Sequence, residues 1–153
     1  MKTQRRTALK KLFASLLGVT GLGLAAKANT NSSDEKEVQN VVYDQDVPLF
    51  SQITKLGNLV FIAGQGYHLE GDIKSHTDHV LKSLEEQLIK AGSSMEKVLK
   101  VSVFLNDIKD YEGMNEVYKG RFGKNPPVRT TVAVAQGGVP GKSLVEIDCM
   151  AYI

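Results

Sequence analysis

Apolar and polar residues alternate with a period of two at several points along this chain. Over Val98 to Leu105, Val101, Val103 and Leu105 alternate with Lys100 and Ser102, which predicts a half-buried β-strand. From Pro126 to Ala135, Val128, Thr130, Val132 and Val134 share one face, while Arg129, Thr131, Ala133 and Ala135 share the other. From Leu144 onward, Val145, Ile147, Cys149, Ala151 and Ile153 oppose Glu146 and Asp148. Leu59 to Ala63 is apolar on both faces and reads as a central strand. Phe50 to Lys55 predicts an earlier edge strand, joined to it by a tight Gly57-Asn58 turn.

Two stretches carry helical periodicity instead. Val80, Leu81, Leu84, Leu88 and Ile89 recur at spacings of three and four, with Ser75 as the expected start, Asp78 completing an approximate capping box and Gly92 as the stop. Tyr111, Met114, Tyr118 and Phe122 mark a second helix opened by Asp110, weakened in isolation by Gly113 and Gly120. Asn115 lies just off that stripe. The order predicts an α+β domain, a mixed β-sheet with two helices on one face. No segment remains to cover the other face, so self-association is expected to do so.

Composition changes the picture mainly at the N-terminus. The 153 residues suffice for one domain. The formal charge of +2 is a property of the leader: residues 1–28 hold Lys2, Arg5, Arg6, Lys10, Lys11 and Lys27 and no acid, and without those six the chain has 13 basic against 17 acidic residues, a net −4. An acidic domain lacks the electrostatic footprint of a nucleic-acid binder. Arg5-Arg6, an apolar stretch from Leu12 to Ala26 and Ala26-Lys27-Ala28 resemble a twin-arginine export signal with a cleavage site. The expectation is therefore an export signal over 1–28, a flexible spacer over 29–44 and one domain over 45–153, in a protein released to the periplasm without stable membrane association. A general secretory route or an uncleaved membrane anchor are the alternatives. The single cysteine, Cys149, excludes an intramolecular disulfide and reads as a buried structural thiol.

The candidate chemistry is sparse. Arg129 stands among small residues, which leaves room for a small anion, and Glu146 is a candidate acid or base. The plainer alternative is a surface salt bridge between them, worth about 0–1 kcal/mol. Gly64-Gln65-Gly66 permits close backbone approach to a ligand but is not a phosphate loop. Asp72, His76 and His79 are read as a solvated helix face and not as a metal site.

Five stretches together resemble the YjgF/YER057c/UK114 family, also called Rid, for reactive intermediate deaminases. They are Gly57 to Gln65, Val101 to Asp107, Met114 to Tyr118, Pro127 to Val132 and Val145 to Ile147. The resemblance covers about residues 45–153 and implies a chorismate-mutase-like fold and a homotrimer with three clefts between subunits. It implies hydrolysis of 2-imino acids, such as 2-iminobutanoate and 2-iminopropanoate, to 2-keto acids and ammonia, with no metal or organic cofactor. Arg129 matches the arginine that grips the substrate carboxylate, and Glu146 the glutamate credited with directing water. Asn115 matches a cleft asparagine and Gly64 a glycine whose backbone lines the pocket. Thr131 falls where many members carry cysteine, Phe50 where many carry tyrosine, and Ala63 where many carry serine. The lost hydroxyls leave a non-catalytic ligand-binding trimer as an alternative. A ribonuclease is a further one, opposed by the acidic domain.

Overall fold

The computed structural model describes residues 35–153. The expected export signal, and the spacer up to residue 34, lie outside the described residues. The elements run β1 (Glu37–Asp44), β2 (Val47–Leu56), β3 (Leu59–Gln65), α1 (Ile73–Lys90), β4 (Val98–Leu105), α2 (Tyr111–Tyr118), β5 (Val128–Ala133) and β6 (Val145–Tyr152). They form one six-stranded sheet in the order β1-β2-β3-β6-β4-β5. All neighbours are antiparallel except β4 and β5, which α2 joins as a parallel crossover. β6, last in sequence, is thus inserted between β3 and β4.

The alternation seen in sequence decides which face is covered. Ile53, Val60, Ile62, Val101, Val103, Leu105, Val145, Ile147, Cys149 and Ala151 are all buried beneath the helices. α1 contributes Val80, Leu81, Leu84 and Leu88 to this core, and each buried leucine stabilises the fold by roughly 1.5–3 kcal/mol. α2 adds Met114 and Tyr118. Gly113, which costs helix propensity, has a packing use. A Cβ there would stand 2.7 Å from Ile73 Cγ2, so glycine lets the two helices approach. Cys149 is enclosed in this core, where burial, reinforced by Asp148, pushes its thiol up to about 12.

Three expectations need correction. α1 starts at Ile73, not Ser75, because the Asp72 side chain caps it by accepting from Ser75 N at 2.8 Å. Asp78 is no capping-box acid; it pairs with Lys82 at 2.7 Å and with Arg121, tying α1 to the segment after α2. The spacer expected over 29–44 gives way over Glu37–Asp44, which form β1.

The face away from the helices carries no element of the described chain. Phe61, Met150 and Val128 lie along it, as do Phe104 and Val132, with Val128 69% exposed. The first half of β2 also outruns β3: residues 47–52 pair only with β1. This two-stranded arm exposes Val47, Leu49 and Phe50. An isolated two-stranded ribbon with apolar side chains is marginal in water, so both features call for a cover.

Candidate functional site

The expected site residues fall into two groups. The first is built on β5 and α2. The register Val101↔Arg129 and Val103↔Thr131 puts Arg129 and Thr131 on the helix side of the sheet, at its edge. Arg129 cannot sink into the apolar core as an unpaired ion, and α2 supplies its surroundings. Its guanidinium carbon lies 4.6 Å from the centre of the Tyr118 ring and 5.8 Å from that of Tyr111. Nη2 donates to Tyr111 Oη at 3.3 Å, and Nη1 approaches Met114 Sδ at 4.0 Å. No carboxylate pairs with Arg129 among the described residues, and its other N–H groups have no partner there.

Two more polar atoms in this region are buried without a hydrogen bond among the described residues, Thr131 Oγ1 and Tyr118 Oη. Burial pushes the Tyr118 phenol up to about 12, against the opposing pull of Arg129. Asn115 sits on α2 next to Met114, half-buried, its side-chain amide unbonded among the described residues.

The second group lies on the open face. Register between β3 and β6 passes from Ile62↔Cys149 to Gln65↔Ile147, so β3 carries one extra residue, a bulge at Ala63-Gly64. Beyond it Gln65 turns inward, donates to Ala63 O at 2.9 Å and accepts from Ser83 Oγ at 2.7 Å. The bulge carries Gly64 against the side chain of Glu146. A Cβ at Gly64 would lie 2.8 Å from Glu146 Cδ, so only glycine leaves the carboxyl where it stands. Glu146 borders a cavity of about 270 Å³ with Phe104, Val134, Gly138, Val139 and Pro140. Gly64→Ala is accordingly expected to swing the carboxyl aside. The measurable result is a Glu146 carboxyl displaced from the cavity wall in a crystal structure of the variant, with thermal unfolding little changed.

The structure does not bring Arg129 and Glu146 together within one chain. They point to opposite faces, two strands and three residues apart, a backbone separation of roughly 14 Å by sheet spacings. The plainer expectation of a salt bridge between them therefore fails, and so does convergence inside a single copy. Thr131 and Asn115 belong with Arg129; Gly64 and Ala63 belong with Glu146. Phe50 stands apart on the β1–β2 arm, 46% exposed, beyond the Gly64 end of β3.

The histidines also divide. His79 is exposed as expected, stacked on Tyr67 at 4.1 Å. His76, expected in solvent, is 2% exposed and accepts from Leu144 N at 3.2 Å. Its place was legible: His76, Val80 and Leu84 recur every fourth residue on the buried stripe. Neither joins a metal site, and no cluster suited to a metal exists among the described residues. A larger cavity of about 540 Å³, bordered by Lys97, Phe122, Asn125 and Tyr152, lies at the far end of β6 from Glu146 and holds none of the expected residues. Sequence reasoning missed Tyr111 and Tyr118 as neighbours of Arg129, having taken their seven-residue spacing only as a core stripe.

A mixed sheet with two helices on one face is the α+β fold of YjgF proteins. RidA from the Antarctic bacterium Psychrobacter sp. superposes with a TM-score of 0.65 at 31% identity, covering 75% of this chain and 99% of that one. A RutC family protein of Pyrococcus abyssi is 36% identical over 125 residues, 74% of this chain and 97% of its own length. Reactive Intermediate Deaminase A of Arabidopsis thaliana chloroplasts is 32% identical over 68% of this chain and 58% of its own. Residues 45–153 match the family described as endoribonuclease L-PSP, and the chain belongs to it, the family also known as YjgF/RutC/Rid. That family includes proteins named as reactive intermediate deaminases.

Proposed function

We propose that this protein hydrolyses 2-imino acids, such as 2-iminobutanoate and 2-iminopropanoate, to 2-keto acids and ammonia. The observation that carries the reading is Arg129. A half-buried guanidinium with no acid partner among the described residues, and with N–H donors unspent, is a receptor for a carboxylate. The imine carbon beside that carboxylate is already electrophilic, so little more than orientation and a directed water is required. Water adds to the C=N carbon as Glu146 accepts its proton. The same carboxyl then returns the proton to the nitrogen of the carbinolamine and takes up the hydroxyl proton as the C–N bond breaks, so that the C=O bond forms and ammonia leaves, carrying that proton away as ammonium. No metal or organic cofactor enters these steps.

The two residue groups meet, in this reading, across the interface of a homotrimer. Arg129, Thr131 and Asn115 come from one copy, and Glu146, Gly64 and Ala63 from its neighbour. The bare sheet face and the exposed arm with Phe50 support it, since both need covering. The test is to generate 2-iminobutanoate in situ from an amino acid with the purified full chain present and to follow keto-acid release. No acceleration over the buffer rate would overturn the proposal. Binding of 2-oxobutanoate without turnover would favour the ligand-binding alternative, which the missing hydroxyls at Phe50 and Ala63 motivate.

Export to the periplasm belongs to the same proposal and rests on Arg5-Arg6 and Ala26-Lys27-Ala28. No helix of the described residues is long and apolar enough to cross a membrane. The intact mass of protein recovered from a periplasmic fraction is expected to match a chain beginning near Asn29. A full-length mass there would refute cleavage.

A further inference from the structure

The arginine is held in an unusual way. Guanidinium groups in proteins are most often fixed by carboxylates, which neutralise the charge and occupy the in-plane N–H donors. Arg129 is instead fixed by an aromatic ring and one hydroxyl. Its guanidinium carbon lies over the Tyr118 ring, 4.6 Å from the centre, and Nη2 donates to the Tyr111 hydroxyl at 3.3 Å. Tyr111 and Tyr118 stand seven residues apart on α2, two turns along one side of the helix, so a single rigid element presents both. Tyr118 is itself 9% exposed, tilted against Phe122 at 4.9 Å, and not free to move.

The geometry points to Tyr111 and Tyr118 as positioning residues that aim the Arg129 guanidinium while leaving its charge and remaining donors open to a planar carboxylate. This rests on Arg129 as the carboxylate anchor. An aromatic face attracts the cation without neutralising it and takes no N–H donor. The Tyr111 hydroxyl takes one donor and stops rotation of the guanidinium in its plane. The Tyr118 hydroxyl has no hydrogen-bond partner among the described residues, so only its ring is assigned a role. The cage thus fixes an orientation that a flexible surface arginine would lose entropy to reach on binding.

The variants Tyr111→Phe, Tyr118→Leu, Tyr118→Phe and Arg129→Ala separate this role from general packing. With 2-iminobutanoate generated in situ, Tyr111→Phe is expected to raise KM about fivefold and Tyr118→Leu about tenfold, with kcat within about twofold of wild type, the pattern of lost ground-state binding. Affinity for 2-oxobutanoate by calorimetry is expected to fall in step, while its methyl ester, which lacks the charge, binds all the variants alike. Tyr118→Phe keeps the ring and is expected to restore the wild-type KM. Wild-type KM in both Tyr111→Phe and Tyr118→Leu, alongside an inactive Arg129→Ala, would overturn the cage and spare the anchor. An active Arg129→Ala would instead remove the anchor itself. A Tyr118→Phe as impaired as Tyr118→Leu also counts against the proposal, by moving the role to the hydroxyl. Should Tyr118→Leu not fold, Tyr111→Phe, which deletes a single oxygen, decides.

Discussion

Arg129→Ala is expected to reduce kcat/KM for 2-iminobutanoate on the order of a thousandfold, because truncating one side of a desolvated charge pair costs 2–5 kcal/mol or more. The fold should survive. Arg129 takes part in no ion pair among the described residues, and its contacts with Tyr111 and Tyr118 are worth about 0.5–1 kcal/mol each. Thermal unfolding by circular dichroism alongside the keto-acid assay separates the two effects. Wild-type turnover in a folded Arg129→Ala would end the assignment of this residue.

Glu146→Gln is expected to have an effect of similar size by a different route. The amide fills the same space against Gly64 and keeps the cavity wall, but it cannot accept a proton from water. Loss of a general base typically costs about 10²- to 10⁴-fold, and here it should appear in kcat with affinity for 2-oxobutanoate retained. Lost affinity with unchanged kcat would assign Glu146 to binding and leave the water without its director. The two substitutions therefore read different terms of one reaction, one the hold on the carboxylate and one the proton.

How much of this was legible in the sequence depended on distance along the chain. β4 ran from Val98 to Leu105 as its alternation required, and Val145, Ile147, Cys149 and Ala151 faced the core as predicted. Ile153, expected on the same face, lies past the end of β6 and is 45% exposed. Such patterns are local, and the buried face enforces them. β1 was missed because Asn40, at φ 53°, interrupts its alternation and its other positions are half polar. The start of α1 was misplaced because Asp72 and Ser75, three residues apart, are both good caps, and the carboxylate takes the Ser75 amide.

The candidate residues could be named one by one from the sequence, but not their arrangement. The faces of Arg129 within β5 and of Glu146 within β6 were each read correctly. Their relation to one another depends on strand order and register across β4, which no local pattern encodes. Gly64 had a cause, the bulge beside Glu146, that appears only when β3 and β6 are paired. Tyr111 and Tyr118 were hidden by their own hydrophobicity, since a tyrosine under an arginine and a tyrosine in a core share the same spacing.

The placement of Arg129 and Glu146 on opposite sides of one sheet has a genetic consequence. Two defective alleles, one encoding Arg129→Ala and one Glu146→Gln, would each give a silent protein. Co-refolded in equal amounts, they should regain up to about a quarter of the wild-type rate if the proposed trimer holds, because a cleft between neighbours in a random ring would draw both intact halves that often. A catalytic pair confined to one polypeptide would allow no such rescue.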